Sequence, residues 1–119
     1  MKLESFKQLI VWQRSIELAK EVYRVTDQFP KSELFILSDQ ILRAVDSVCL
    51  NIAEGSNRAT DKDFAHFLNQ SLTSLEEVMC CLDLALSDNY INETEFNYFV
   101  GKGEILGKQL IGFQNKLRT

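Results

Sequence analysis

Residues 40–55, QILRAVDSVCLNIAEG, carry two stripes that an ordinary surface helix keeps apart. At about 100° per residue, Leu37, Ile41, Ala44, Val45, Val48 and Ile52 share one face, which predicts a core-facing surface. Gln40, Arg43, Ser47, Asn51 and Glu54 form a polar stripe beside it, three or four residues apart. The remaining side is not the charged one expected of a solvated helix. Leu42, Cys49, Leu50 and Ala53 lie there, with Asp39 and Asp46 the acids among them. A helix apolar on two sides needs cover on both. One bundle core supplies one cover, so the second is expected from another subunit.

The rest of the chain supplies three more helices. The first is expected from Ser5, whose hydroxyl caps it with Gln8 reaching back, to about Gln28. It has two seams: Leu9, Trp12, Ile16, Ala19, Tyr23 and Thr26, and then Val11, Ser15, Leu18, Val22, Val25 and Phe29, as suits a helix between two neighbours. Pro30 ends it, because the residue before a proline is pushed out of helical geometry. The second helix is expected from about Glu33, with a cap near Ser32, to Glu54. Gly55 is read as the left-handed residue that stops it. Thr60 followed by Asp63 predicts the start of a third helix with the seam Phe64, Leu68, Ser71, Leu75, Val78, Leu82 and Ala85. After a turn at residues 87–89, Asn92 with Glu95 opens a fourth, whose seam is Phe96, Phe99, Gly103, Leu106, Leu110, Phe113 and Leu117. Gly101, Gly103, Gly107 and Gly112 each cost about 1 kcal/mol against alanine inside a helix. Close helix approach or a loosely ordered C-terminal helix are the two readings. Short turns between four amphipathic helices, with no strand-like alternation, predict a single all-α domain over residues 1–119, an antiparallel up-down-up-down four-helix bundle.

Several functions are disfavoured by composition. Hydrophobic residues at 45% and charged ones at 25% are those of a globular chain able to bury a core. The first residues lack the apolar run of a secretory signal, and no stretch reaches the ~20 apolar residues of a spanning helix, so a cytoplasmic protein without a membrane partner is expected. Three cysteines, two adjacent at Cys80 and Cys81, give neither a disulfide framework nor a Cys-x-x-Cys zinc pair, and read as buried free thiols. A di-iron bundle needs Glu-x-x-His from two helices, whereas His66 is the one histidine and falls on an outer face. Ribonuclease bundles of the HEPN type need arginine and histidine four to six residues apart, but seven separate Arg58 from His66. With no phosphate loop, nucleophile elbow or paired carboxylates, no catalytic, cofactor or metal residue is assigned, and an enzyme is not expected.

Charge is uneven along the chain. Against a net −4, residues 1–31 carry +2, residues 96–119 carry +3 and residues 32–95 carry −9. In an up-down bundle the first and last helices are neighbours, so one side is expected to be basic. Three readings stand: Lys7, Arg14, Lys20, Arg24, Lys102, Lys108 and Lys116 contact phosphates; oppositely charged sides meet between subunits; or the charge is simply solvated. The polar stripe, extended through Gly55 to Arg58, has its own alternatives: a buried network that fixes helix register, a subunit interface, or a ligand or RNA contact. Glu54 opposes the helix dipole in a last turn and should have a partner, Arg58 or the amides opening the next helix.

Read as text, Val11-Trp12-Gln13, Leu18-Ala19, Val22-Tyr23, Phe29-Pro30, Gln40, Arg43-Ala44, Ser47, Asn51-Ile52-Ala53-Glu54-Gly55, Arg58, Lys62, Phe64, Phe67-Leu68, Ser74 and Glu77 resemble the four-helix-bundle proteins encoded in intervening sequences of bacterial 23S rRNA genes. The resemblance covers nearly the whole chain. It implies an up-down bundle assembled as a homopentameric ring, without an established enzymatic activity or cofactor. A related branch, the accessory proteins of diversity-generating retroelements, implies binding to nucleic acid and a reverse transcriptase through a basic surface. The sequence departs from the pattern at Leu42, where a second basic residue is usual, at Asp46, where an apolar one is, and at Thr73, where glycine is. The first two count against nucleic-acid binding.

Overall fold

Val11, Ser15, Leu18, Ala19, Val22 and Val25 form the buried line of the first helix, α1 (Ile10–Thr26), in a computed structural model that describes residues 5–33 and 36–119, with Glu33 described for its backbone only. The second, α2 (Leu37–Ser56), buries Ile41, Ala44, Val45, Val48 and Ile52, as the periodicity predicts. The third, α3 (Asp61–Ser87), and the fourth, α4 (Glu93–Arg118), contribute Leu68, Leu75, Val78, Leu82, Phe99, Leu106 and Leu110 to the same core. Each helix packs against its neighbours in sequence and α4 closes back on α1, so the described residues form an antiparallel up-down-up-down four-helix bundle of 43 × 23 × 19 Å. Because a helix alone is marginal in water, this shared core supplies most of the helices' stability.

Capping decides where helices start. The Thr60 hydroxyl accepts the Asp63 amide at 3.1 Å, and Asn92 and Glu95 complete a capping box at 2.8 and 3.0 Å. Behind α3, Asn89 takes the left-handed conformation at φ 63°. The Asn89 and Tyr90 amides donate to Leu86 O and Ala85 O, which turns the chain sharply into α4.

Three expectations are corrected. Ser5 does not cap α1: residues Ser5–Gln8 are a separate 3-10 turn, and α1 follows an extended Leu9 with no side-chain cap. The second helix does not begin at Glu33, since Lys31–Glu33 is another 3-10 turn and α2 starts at Leu37, with residues 34–35 outside the described set. Gly55 does not stop α2 in a left-handed conformation, because no glycine has a positive φ and the helix runs on to Ser56. Its role is close approach: a Cβ at Gly55 would sit 2.8 Å from both Phe64 Cδ1 and Phe67 Cβ of α3.

The glycines of α4 divide by position. A Cβ at Gly103 would meet the flexible end of Met79 at 2.8 Å, whereas Gly101 and Gly112 face open space. Close approach therefore accounts for Gly103 alone among these three, and α4 is nonetheless continuous to Arg118.

Candidate functional site

The polar stripe of α2 splits into a half inside the bundle and a half outside it. Ser47 and Asn51 lie half-buried in the seam with α3. Asn51 Nδ2 donates to Ser47 O at 2.9 Å and to Ser47 Oγ at 3.0 Å, and Ser47 Oγ shares a 2.8 Å hydrogen bond with Ser74 Oγ. One turn on, the fully buried Ser71 donates from Oγ to Val48 O at 2.7 Å. Buried polar groups left unmet cost about 1–3 kcal/mol, so these bonds pin the register of α2 against α3. The partner of Asn51 is thus Ser47, not Glu54 or a helix-end amide. Ser71 was legible as the one hydroxyl in the apolar seam of the third helix; nothing in one dimension paired Ser74 with Ser47.

Outside the seam, Gln40, Arg43, Glu54 and Arg58 are exposed. Arg43 Nε pairs with Asp39 at 3.0 Å, and Arg58 meets Glu54 at 3.6 Å while lying 4.5 Å over the Phe67 ring. The expected partner of Glu54 is therefore in place, although an exposed ion pair contributes little. Gly55 is buried between these halves beneath Phe64 and Phe67.

The second apolar side of α2 is covered in part by α1. Cys49 is only 5% exposed, and burial pushes its thiol pKa up. Leu42 and Ala53 are half-buried, and Leu50 remains 63% exposed. What the chain itself leaves uncovered is Leu50, not the whole face. Asp46 is half-buried and accepts the Tyr23 hydroxyl at 2.7 Å. That bond, then burial and the Asp46 charge, push the Tyr23 pKa up to about 12. A folded-state pKa above the unfolded value of about 10 means the bond's stabilisation is complete below that pH and lost as pH rises towards 12. The Tm difference between wild type and Tyr23→Phe is expected in full at pH 8, should shrink above pH 10 and should close only beyond about pH 12; a constant difference would contradict it.

The cations expected to contact phosphate are dispersed. Lys7, Lys20, Arg24, Lys108 and Lys116 are exposed, and Arg14 and Lys102 are half-buried. Arg14 and Lys102 line a narrow cleft between α1 and α4 with Glu17, where the buried Arg14 Nε has no hydrogen-bond partner. Lys102 Nζ lies 5.6 Å over the Tyr98 ring. A broader cleft of about 360 Å³ in the same seam holds Arg24 with Glu21, Gln28, Glu95 and Tyr98. Glu21 accepts the Tyr98 hydroxyl and Glu95 the Gln28 amide. Carboxylates thus alternate with cations along the side expected to be basic.

Charge separates along the long axis instead. Where α1 and α3 begin and α2 and α4 end lie Lys7, Arg58, Lys62, Lys116 and Arg118 with Glu54, Asp61 and Asp63; the opposite end carries Asp27, Asp39, Asp83, Asp88, Glu93 and Glu95 with Arg24, Lys31 and Arg43.

Among the described residues, no three His, Cys, Asp or Glu side chains could hold a metal ion, and no helix is long and apolar enough to cross a membrane. His66 is exposed and bonds Gln70 at 3.1 Å. Cys80, expected to be buried, is exposed, because it falls on the outer face of α3; Cys81 is buried, with its thiol pKa pushed up to about 11 by burial and the nearby Glu77 charge.

Residues 7–112 match the family described as 23S rRNA-intervening sequence protein. The fold is similar to that of a crystallised protein with unknown function from the S23 ribosomal protein family of Bacteroides thetaiotaomicron VPI-5482. The two are 26% identical with a TM-score of 0.78, over 88% of this chain and 98% of that one. No curated protein matches the chain.

Proposed function

The chain belongs to the 23S rRNA-intervening sequence protein family, and from that premise we propose that its bundle is a non-catalytic cytoplasmic scaffold that assembles into a closed homo-oligomer, five copies being the number the family resemblance implies. The observation that carries this reading is Leu50. It is a large aliphatic side chain, 63% exposed, on a helix whose other apolar residues are covered. Leu42 and Ala53 on α2, and Trp12 and Ile16 on α1, are only half-buried, so apolar surface reaches solvent on both helices. Exposed apolar surface that is continuous marks an interaction site more often than scattered apolar residues do. Native mass spectrometry is expected to return an integer multiple of the 13.7 kDa chain, five for a pentamer. A monomer mass at micromolar concentration would sink the reading.

A second reading, nucleic-acid binding, is favoured by the end of the bundle where Lys7, Arg58, Lys62, Lys116 and Arg118 outnumber three acids. Phosphate contact at that end has a signature: affinity falls steeply with salt, by a slope of about one per cation engaged. Fluorescence anisotropy with a labelled RNA hairpin should show it. No binding at low salt removes this reading.

A further inference from the structure

We propose that the surface receiving Leu50 is the groove between α3 and α4 of the next copy, so that the assembly is head-to-tail; the inference rests on the scaffold reading above. The groove, of about 310 Å³, has an apolar floor that includes Leu72, Met79, Val100 and Gly107, and rims formed by Glu76 and Glu104. Neither rim carboxylate makes an ion pair among the described residues. Gly107 keeps it open. A Cβ there would lie 3.8 Å from Leu72 Cδ1 and Leu75 Cδ2, an ordinary contact, so packing within the chain does not require a glycine. Glycine in a helix interior is nevertheless unfavourable, and the space above it accepts a side chain from outside.

Among the surfaces of this chain, the outer side of α2 fits such a groove by both shape and charge. Leu50 projects as an aliphatic knob, and two turns before it Arg43 presents a guanidinium whose side chain is 80% exposed. Its bond to Asp39 is an exposed pair, weak enough to exchange for an acidic rim. Docking would set Leu50 on the apolar floor and Arg43 against Glu76 or Glu104, so that an acid rim faces a cation. The knob and the groove are not one patch. α2 and α4 are diagonal in the bundle, without close backbone approach among the described residues. A contact between two different sides is heterologous, and repeating it produces a ring if the rotation closes.

Cross-linking between two marked populations tests this. In a Cys80→Ser background, one population carries Arg43→Cys with a size tag and the other carries Glu104→Cys without it, so that Leu50 and Gly107 are both kept. They are mixed, allowed to exchange subunits and treated with a short bismaleimide. The expected product is a covalent dimer of mixed mass that neither population forms alone. Self-linking of Arg43→Cys with equal yield would overturn the inference in favour of a two-fold contact. An assembled wild type that yields no mixed product overturns it while leaving the scaffold reading intact; a monomeric wild type overturns both, with the groove left to a different protein. Gly107→Leu puts a side chain into the groove from a Cβ that makes only ordinary contacts inside the chain, and should shift the assembly to monomers that keep their helical circular dichroism. Glu76→Lys with Glu104→Lys should do the same, and Arg43→Glu added to that pair should restore assembly at least in part. Gly107→Leu protein that assembles like wild type would also refute the docking site.

Discussion

Gly55→Ala is expected to destabilise the bundle by about 1–3 kcal/mol, the usual range for forcing an extra carbon into a packed contact, or roughly 5–15 °C in Tm for a chain of this size. The reason is geometric. The added Cβ would fall 2.8 Å from Phe67 Cβ, an atom fixed to the backbone of α3, so relief requires α2 and α3 to separate. The Phe64 ring, also at 2.8 Å, is itself held edge-on to Phe113 of α4 at 5.1 Å. Separation would disturb the Ser47–Ser74 and Ser71–Val48 hydrogen bonds further along the same seam. Gly101→Ala and Gly112→Ala are the opposing controls, because their Cβ atoms enter open space and alanine gains about 1 kcal/mol of helix propensity at each. Thermal melts by circular dichroism should thus move in opposite directions for glycines in the two helices. A Gly55→Ala variant that melts with Gly101→Ala would show that the approach of α2 to α3 is looser than these distances.

Gly55 also shows which part of the structure one dimension conceals. Periodicity within a helix is recorded in the order of its own residues, so the core lines of α2 and α3, and the caps at Thr60 and Asn92, were legible without coordinates. A glycine near a helix end has two meanings, a left-handed stop or a place where a neighbour comes close. The choice depends on Phe64 and Phe67, which the chain brings back across a turn. Asn51 is a similar case: its stripe was legible, but the donor's partner depended on rotamers at Ser47 and on the height of α3. The charge pattern was coarse for a different reason. Block sums treat a helix as a point, whereas Glu17 and Glu21 stand among the cations of α1 and break up the basic side. The start of α2 was misplaced because propensity alone does not distinguish a 3-10 turn at Lys31–Glu33 from a first helical turn.

Ile52→Ala and Leu50→Ala should have different consequences although the two residues are two positions apart on one helix. Ile52 is fully buried, and truncating a buried isoleucine costs about 2–5 kcal/mol through lost transfer energy and the cavity left behind. That is a large part of the 5–15 kcal/mol that holds a typical domain, so Ile52→Ala protein is expected to melt some 10–25 °C lower or to be partly unfolded at 37 °C. Leu50 loses little by the same truncation inside its own chain, because most of its surface already meets water; surface changes of this kind stay within about 0.5 kcal/mol. Its effect should appear in assembly, since removing an aliphatic anchor from the centre of an interface commonly costs more than 1 kcal/mol per contact and a closed ring repeats the contact at every joint. The measurements are a thermal melt at a concentration where wild type is dissociated and a native mass spectrum at one where it is assembled. Ile52→Ala should shift the first, and Leu50→Ala the second with the first unmoved. If Leu50→Ala lowers the melt of the dissociated chain as far as Ile52→Ala does, Leu50 belongs to the bundle's own core and the outward face of α2 carries no interface.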